Sequence, residues 1–394
     1  MTDPTAARPV RVLHVITRMI IGGAQENTML SCALIDRDRF PSEILCGAET
    51  GDEGSLHEEC RERGVPLHLE PSLVRRIDNG LDLRALIRLT RFLRRRRFDV
   101  VHTHTVKAGI LGRIAARLAG VPVIVHTAHG WAFTRADPWA VHWVGIGLEQ
   151  ALARISQALV VVAANDRELG LAKGIGHPDR YHVIRSGIEL ERYMNVVVDR
   201  TAARERLGLP ATAFVVGAVG RLVRGKAPLD MFAAFRSVAA ARPDAHLVFV
   251  GDGPLRPDLE AAARAAGLGD RVHVLGMRRD VPELLRVFDV LALASLWEGL
   301  PRVFPQAMAA GLPIVATHVA GAPEAIVPGE NGWLVEPGDH AAMARHLTDL
   351  ARDPAAARAM GARGLARVDE FSARRMVDQL AELYARLVME RRAG

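Results

Sequence analysis

The sequence predicts an α/β protein made of two doubly wound parallel-sheet domains with a cleft between them. The chain has 394 residues, and single cores rarely grow beyond about 250–300 residues, so two domains are expected. Short runs of Val, Ile and Leu alternate with longer helical patterns along almost the whole chain. Strands that are apolar on both faces and joined by helices are typical of parallel sheets. The stretch 189–212 divides the strands into two series.

The predicted strands are short apolar runs, each followed by a turn or a helical pattern. The first series covers residues 10–17, 42–47, 65–70, 99–104, 122–129, 158–164 and 181–187. The second series covers residues 214–220, 246–253, 271–276, 289–295, 313–317 and 332–337. Because open parallel sheets bind ligands beyond the carboxyl ends of their strands, we expect the functional motifs to follow these runs.

The charge balance favours anionic partners. The net charge is +6, the pI is about 9.8, and 49% of the residues are hydrophobic. A basic protein with sizeable cores suits phosphate-bearing substrates, anionic lipids or nucleic acid. Aromatic residues make up only 5% of the chain, and no base-stacking series or nucleic-acid-binding motif is evident. We therefore expect no nucleic-acid partner.

The cysteines and the hydropathy pattern predict a cytoplasmic protein. Cys32, Cys46 and Cys60 are few, scattered and without Cys-x-x-Cys spacing, which favours a reducing compartment. The N-terminus has no secretory signal pattern. No stretch approaches the roughly 20 apolar residues of a membrane-spanning helix.

A basic run, Arg94 to Arg97, ends the helical pattern of residues 81–97. Leu83, Leu86, Ile87, Thr90 and Leu93 give this pattern its apolar positions. One interpretation is a surface helix with cations near its C-terminus. The other is a basic patch for peripheral contact with an anionic membrane, at the inner face of the cytoplasmic membrane.

Glycines and histidines follow the strands of the first half. Gly22 and Gly23 precede a helix expected to begin near Ala24, where free backbone N–H groups suit an anion. The histidines His102, His104, His126 and His129 lie in or after two neighbouring strands. They lack a Cys or carboxylate ligand at metal-site spacing, so we expect no metal. His129 precedes a glycine at a strand end and is the preferred substrate-contacting residue.

Cations follow the first strand of the second half. Arg221 comes just after the strand and Lys226 five residues later at a helix start, which suits the two negative centres of a diphosphate. After the strand at 271–276, the backbone of Met277 and Arg278 could contact a base, with Asp280 as the expected N-cap of the next helix.

The stretch WEGLPRVFPQAMAAG, residues 297–311, places an acid in a tight turn before a helix. Glu298 lies in the turn, and Pro305 is tolerable if the helix begins near Arg302, since the first four helical N–H groups have no intrahelical partner. The N–H groups of Arg302 and Val303 would then point into the cleft with the carboxylate of Glu298.

Together these motifs resemble those of a retaining GT-B glycosyltransferase of the family-4 type (glycosyl transferases group 1). The stretches IGGAQ, DVVHTHTVKAGILGRIAARLAG, HVIRSGIELERY, GRLVRGK, VGDGP, LGMRRDVPELL, WEGLPRVFPQAMAAGLPIVAT and ENGWLVEPGD occur in order. The resemblance implies a Rossmann-like acceptor-binding domain over 1–188 plus 372–394 and a Rossmann-like nucleotide-sugar-binding domain over 189–371. It also implies hexosyl-type transfer with retention, no metal and no cofactor, since the nucleotide-sugar is a co-substrate.

The resemblance carries roles onto individual residues. Arg221 and Lys226 match the diphosphate-binding pair, Glu298 matches the first acid of an E-x7-E motif near the donor sugar, and His129 matches a sugar-contacting histidine. Gly22 or Gly23 matches a loop near the donor phosphates. The predicted catalytic residues are Glu298, His129, Arg221 and Lys226. The predicted donor-binding residues are Gly22, Gly23, Arg221, Lys226, Met277, Arg278, Glu298, Gly299, Leu300, Arg302, Val303 and Gln306.

Two positions depart from the family pattern. Gln306 replaces the second acid of E-x7-E, which holds the ribose, and an amide accepts a hydrogen bond without charge assistance. Pro301 stands where a glycine is usual and removes a backbone donor.

The predicted function is transfer of a sugar from a nucleotide-sugar, with UDP the expected carrier, to a glycan or lipid-linked acceptor in cell-surface polysaccharide or glycolipid synthesis. A GT-B sugar-nucleotide epimerase or hydrolase is the alternative. A basic membrane- or nucleic-acid-binding protein is a more distant one.

Overall fold

The computed structural model describes residues 8–49, 51, 54–131 and 139–393. The chain forms two compact units. Unit 1 is the chain up to Gly187 together with the segment from Ala373 onwards, and unit 2 is Ile188–Ser372. The domain limits expected from the sequence, 188/189 and 371/372, differ from these by one residue at each crossing.

Unit 1 contains a seven-stranded parallel sheet with the order β3-β2-β1-β4-β5-β6-β7. Its strands are β1 (Val12–Ile16), β2 (Ser42–Cys46), β3 (Leu67–Leu69), β4 (Val100–His104), β5 (Val123–Ala128), β6 (Ala158–Val161) and β7 (Tyr181–Val183). Its helices before Gly187 are α1 (Gly23–Ala33), α2 (His57–Glu62), α3 (Asn79–Arg96), α4 (Val106–Ala119), α5 (Trp139–Ile155) and α6 (Ala164–Ala172).

Unit 2 contains a six-stranded parallel sheet with the order β10-β9-β8-β11-β12-β13. Its strands are β8 (Phe214–Val219), β9 (Ala245–Val250), β10 (Val272–Val274), β11 (Val290–Leu293), β12 (Ile314–Thr317) and β13 (Gly332–Val335). Its helices are α7 (Glu191–Met194), α8 (Arg200–Arg206), α9 (Pro228–Ala241), α10 (Arg256–Ala265), α11 (Val281–Val287), α12 (Val303–Ala309), α13 (Ala322–Ala325), α14 (His340–Arg352) and α15 (Pro354–Ala366).

The last helix, α16 (Ala373–Ala393), packs on the sheet of unit 1. Its buried side includes Met376, Leu380, Tyr384 and Leu387, which are spaced by three or four residues as an amphipathic helix requires. Together with α1 it covers one face of the sheet, while α3 and α4 cover the other. Both faces are therefore buried, which explains the continuous apolar character of the central strands.

The strand order creates one switch point in each sheet. In unit 1 the order reverses between β1 and β4, and in unit 2 between β8 and β11. Connections leave neighbouring strands in opposite directions there, which opens a crevice at the carboxyl edge. The glycine motif follows β1, and His102 and His104 lie at the carboxyl end of β4, whereas Arg221 follows β8 and Glu298 follows β11.

Only some of the predicted apolar positions of helix α3 are buried. Ala85, Leu89 and Leu93 face the core, but Leu83 and Ile87 are exposed. The helix begins at the side chain of Asp78, which accepts a hydrogen bond from the Leu81 N–H (3.0 Å). Core contact is thus made at i, i+4 and i+8, and the exposed leucine and isoleucine lie beside that row.

No helix among the described residues is long and apolar enough to span a membrane. The largely apolar segment 139–164 divides into α5, β6 and the start of α6.

Candidate functional site

Two loops of unit 2 meet at the switch point. Strands β8 and β11 pair directly, and the loop after β8 ends in a short 3₁₀ turn, Arg224–Lys226. The N–H of Leu296, after β11, donates to the carbonyl of Gly225 (2.9 Å). A Cβ on Gly225 would lie only 2.9 Å from the ring of Trp297, so a side chain at 225 would push the two loops apart.

Lys226 and Glu298 form an ion pair across these loops. The carboxylate also accepts a hydrogen bond from the hydroxyl of Ser295 (2.9 Å), and both charged side chains are partly buried. Thr317 on β12 donates to the carbonyl of Ser295 (2.5 Å) and fixes that residue. The structure thus brings together the predicted diphosphate-binding lysine and the predicted sugar-binding acid, and a bound diphosphate would compete with Glu298 for Lys226.

The loop that carries Arg221 rests on a glycine turn after β9. A Cβ on Gly251 would lie 2.1 Å from the Gly220 carbonyl oxygen, and one on Gly253 would lie 2.5 Å from the Leu222 carbonyl oxygen. Both glycines also have positive φ angles, 142° and 159°, which other residues adopt rarely. The residues of VGDGP therefore support the backbone on both sides of exposed Arg221.

Helix α12 begins at Val303, close to the predicted start at Arg302. The N–H of Gln306 makes the first intrahelical bond, to the Arg302 carbonyl (3.3 Å), so Pro305 lies where no N–H is required. The preceding turn is held because the N–H of Gly321 donates to the Gly299 carbonyl (2.9 Å). The half-buried side chain of Gln306 has no hydrogen-bond partner in the part of the chain that the structure describes.

Met277 and Arg278 lie one strand beyond β9, at the same edge of the sheet. Met277 is exposed, and the carbonyl of Gly276 accepts a hydrogen bond from the Gly251 N–H (2.9 Å). Asp280 is the N-cap of α11, as expected, but its side chain makes no capping bond. It pairs instead with Arg278 (2.8 Å), and this hydrogen bond lowers the pKa of the Asp280 carboxyl.

In unit 1, α1 begins at Gly23, one residue before the predicted start. The carbonyl of Gly22 accepts a hydrogen bond from the Glu26 N–H (2.9 Å). Gly22 has an extended backbone, with φ 179°. A Cβ there would meet only the end of the Gln25 side chain, so local packing alone does not require a glycine at this position.

The histidines of the sequence motif lie on both faces of the sheet. His102 and His104 share a face, whereas His126 pairs in register with Thr103 and points to the opposite face. His104 shares hydrogen bonds with His129 (3.1 Å) and with His14 (2.9 Å). His14, on β1, was not singled out from the sequence, because a single polar residue within an apolar strand gives no signal of its partner.

The buried histidines form a largely hydrogen-bonded cluster, in which His14 Nε2 has no partner among the described residues. Nitrogens of His14, His102 and His104 lie within 4.8 Å of one another, but both nitrogens of His102 are engaged, by Tyr384 (2.5 Å) and Thr127 (2.6 Å). Burial lowers the pKa of His14 to about 3 and lowers those of His102 and His104 well below the ordinary value. These imidazoles are therefore neutral at pH 7.

The three cysteines are free and buried, packed together against β1 and β2. Burial raises the pKa of Cys46 to about 12 and that of Cys60 to about 11. These thiols therefore behave as small apolar core residues.

The sequence of this chain is similar to those of known glycosyltransferases. One family model, described as "Glycosyl transferases group 1", matches residues 199–367, and a second, "Glycosyl transferase 4-like domain", matches residues 22–187. A "UDP-Gal:alpha-D-GlcNAc-diphosphoundecaprenol alpha-1,3-galactosyltransferase" of Escherichia coli is 33% identical over 334 residues, which are 84% of this chain and 85% of the relative. A "D-inositol 3-phosphate glycosyltransferase" of Salinispora tropica is 35% identical over 322 residues, covering 75% of this chain and 65% of the relative.

A solved structure shows the same fold. Anabaena HepE in complex with UDP superposes with a TM-score of 0.80 at 24% identity, covering 95% of this chain and 100% of that one.

Proposed function

Because the chain belongs to the group 1 glycosyltransferases of the GT4 type, we propose that it transfers a hexose from a UDP-sugar to a lipid-linked saccharide with retention at the anomeric carbon. That it is a glycosyltransferase using a nucleotide-sugar follows from the family. The observation that supports the site is the ion pair of Lys226 and Glu298 at the switch point of unit 2. Arg221 lies five residues before Lys226 on the same loop.

The chemistry we propose is electrostatic. As the bond between the sugar and the diphosphate breaks, negative charge grows on the leaving diphosphate. Arg221 and Lys226 would stabilise that charge, and fixed cations aimed at charge that forms in the transition state need no reorganisation. The acceptor oxygen bonds to the anomeric carbon on the face that the diphosphate leaves, and the hydroxyl proton passes to the departing diphosphate, so the configuration is retained. This charge stabilisation requires no metal.

Glu298 is proposed to hold hydroxyls of the donor sugar. Its carboxylate is fixed by Ser295 and Lys226, so its remaining acceptor capacity points in a defined direction. We assign it no nucleophilic role. His129 is proposed to contact the donor sugar, and its ring is oriented by the hydrogen bond with His104. Met277, Arg278, Arg302, Val303 and Gln306 are proposed to contact the nucleoside and the phosphates.

The acceptor is proposed to be lipid-linked and used in cell-surface polysaccharide or glycolipid synthesis. The Escherichia coli relative acts on a diphosphoundecaprenol-linked sugar by its name. Helix α3 supports contact with an anionic membrane, because Arg94 and Arg95 are exposed near its end and Leu83 and Ile87 are exposed along it. Such a surface combines apolar and cationic contacts with a bilayer.

The function is tested by incubating the protein with UDP-hexoses and a short-chain alkyl diphosphate-linked sugar, and by following the acceptor by mass spectrometry. We expect the acceptor to gain one hexose and UDP to be released. Release of free sugar, or an epimerised donor, at the same rate without acceptor would identify the alternative epimerase or hydrolase. The Arg221→Ala variant should transfer about a hundredfold more slowly, because the leaving group loses a cation.

A further inference from the structure

An arginine-lined cavity lies in unit 1, outside all the residues assigned above. It has a volume of about 550 Å³ and is lined by Arg18, Glu49, Arg75 and Arg76. The cavity is wide open to solvent, so a ligand would be held there by charge contacts rather than by enclosure. We propose that this cavity, named the arginine cradle here, binds a phosphate or diphosphate group of the acceptor.

The cradle is formed by three adjacent strands. Arg18 follows β1, Glu49 follows β2, and Arg75 and Arg76 follow β3. These strands are neighbours in the order β3-β2-β1 and are parallel, so their following loops share one edge of the sheet. This is the carboxyl edge, at which open parallel sheets bind ligands.

Close backbone packing holds these loops together. The N–H of Gly47 donates to the Thr17 carbonyl (3.0 Å), and a Cβ on Gly47 would lie 1.9 Å from the Leu73 carbonyl oxygen. Only a glycine lets the chains before Arg18 and Arg75 approach so closely. The carboxylate of Glu49 accepts a hydrogen bond from the Arg75 N–H (2.6 Å) and anchors the third loop.

The charges of the cradle do not balance. Three arginines and one glutamate line it, and one carboxylate oxygen of Glu49 is used by the Arg75 backbone N–H. Arg76 has a further contact with Asp78, at 3.4 Å and exposed, where an ion pair contributes little. Lys107 also donates to the Arg76 carbonyl. The surplus is positive, and guanidinium forks match phosphate oxygens in pairs.

The phosphate bound by the arginine cradle is assigned to the acceptor because the phosphates of the donor are already assigned to unit 2. In the proposed reaction the donor has one diphosphate, which Arg221 and Lys226 of unit 2 are proposed to hold. A second cationic site on the other unit therefore calls for an anion on the other substrate. This step rests on the proposed function, and it narrows the acceptor class to saccharides that carry a phosphate or diphosphate.

The test compares a short-chain sugar diphosphate acceptor with the alkyl glycoside of the same sugar, using Arg18→Gln and Arg75→Gln. We expect each variant to raise the KM of the diphosphate acceptor about tenfold without changing the affinity for UDP. The wild type should prefer the diphosphate acceptor, and the variants should lose that preference. The matched control is Arg117→Gln, which removes an exposed charge at the C-terminal end of α4, at the opposite edge of the sheet.

Other results would overturn the proposal. One is an unchanged KM in both variants, and another is an equal loss with the neutral glycoside. A third is weaker sedimentation with phosphatidylglycerol vesicles but an unchanged KM for the soluble acceptor, because the cradle would then bind lipid headgroups. Failure of the proposed function is distinct, since the wild type would then transfer sugar to neither acceptor.

Discussion

At the scale of residues, Gln306 is the clearest departure from the family pattern. Its half-buried amide lies in the first turns of α12, eight residues after Glu298. An amide oxygen can accept one hydrogen bond from a ribose hydroxyl, but a carboxylate accepts it with charge assistance. The replacement is therefore expected to weaken the hold on the nucleoside rather than abolish it.

We expect Gln306→Glu to keep or strengthen the binding of a UDP-sugar, by up to about tenfold. Gln306→Leu is the control, because it keeps the size but removes the acceptor and should weaken binding. The measurement is titration calorimetry with the UDP-sugar that serves as donor. A large loss of affinity in Gln306→Glu would show that residue 306 does not face the ribose.

Contacts between residues far apart in the sequence could not be predicted from it. The charges of Lys226 and Glu298 could be singled out from their positions after strands, but their mutual ion pair could not, since 72 residues separate them. His14 gave no signal within its apolar strand, although it shares a hydrogen bond with His104. Long-range pairs of this kind depend on which strands are neighbours, and the apolar runs by themselves do not specify that order.

At the scale of elements, the turn that carries Glu298 depends on Gly321, the residue just before α13. A Cβ on Gly321 would lie 2.4 Å from the Gly299 carbonyl oxygen, which is backbone and cannot rotate away. We expect Gly321→Ala to displace this turn, weaken donor binding about tenfold or more, and cost about 1–3 kcal/mol of stability.

The matched control for that substitution is Gly269→Ala. The nearest atom to a Cβ there is Arg264 Cγ, at 3.5 Å, an ordinary contact distance. Donor binding and stability should stay close to wild type. If Gly321→Ala bound the donor as well as Gly269→Ala does, the turn would not position Glu298.

The buried histidines of β1, β4 and β5 should make the stability of the protein depend on pH. Burial lowers the pKa of His14, His102, His104 and His126 in the folded protein. Below the unfolded value of about 6.5, the unfolded chain binds protons that the folded chain does not. Stability should therefore fall as the pH falls from 7 to 5, by at most about 1.4 kcal/mol per pH unit for each such histidine.

Urea unfolding at pH 7.5 and pH 5.5 measures this effect. The exposed His177 provides the control, since His177→Gln should show the same fall in stability as the wild type. Stability that stayed constant or rose towards pH 5.5 would contradict the assignment of neutral buried histidines.

At the scale of the whole molecule, the alternation of apolar runs and helical patterns was enough to predict two parallel sheets. All thirteen strands are found, each in or within one residue of its predicted range. Most of them are buried and continuously apolar, which makes this possible. The first residues of α1 and α12 were predicted within one residue, because glycine and proline restrict where helices begin. The predicted cleft and the roles of the two domains stay predictions.

We also propose that the transfer reaction as a whole needs no divalent metal ion. Because Arg221 and Lys226 are proposed to supply the positive charge for the leaving diphosphate, we expect excess EDTA to leave the transfer rate unchanged. The check is the transfer assay with and without chelator, on protein dialysed free of divalent ions. Loss of activity that Mg²⁺ or Mn²⁺ restored would refute metal independence.

The loops after β8 and β11 are proposed to form a diphosphate-binding site, and the assignment of the donor site depends on this. Calorimetric titration of UDP and of UMP into the wild type and Lys226→Ala tests it most directly, with Arg236→Ala, an exposed arginine on α9, as control. We expect the wild type and Arg236→Ala to bind UDP at least about tenfold more tightly than UMP, and Lys226→Ala to lose most of this difference. Equal affinities for UDP and UMP in the wild type, or an undiminished preference in Lys226→Ala, would contradict it.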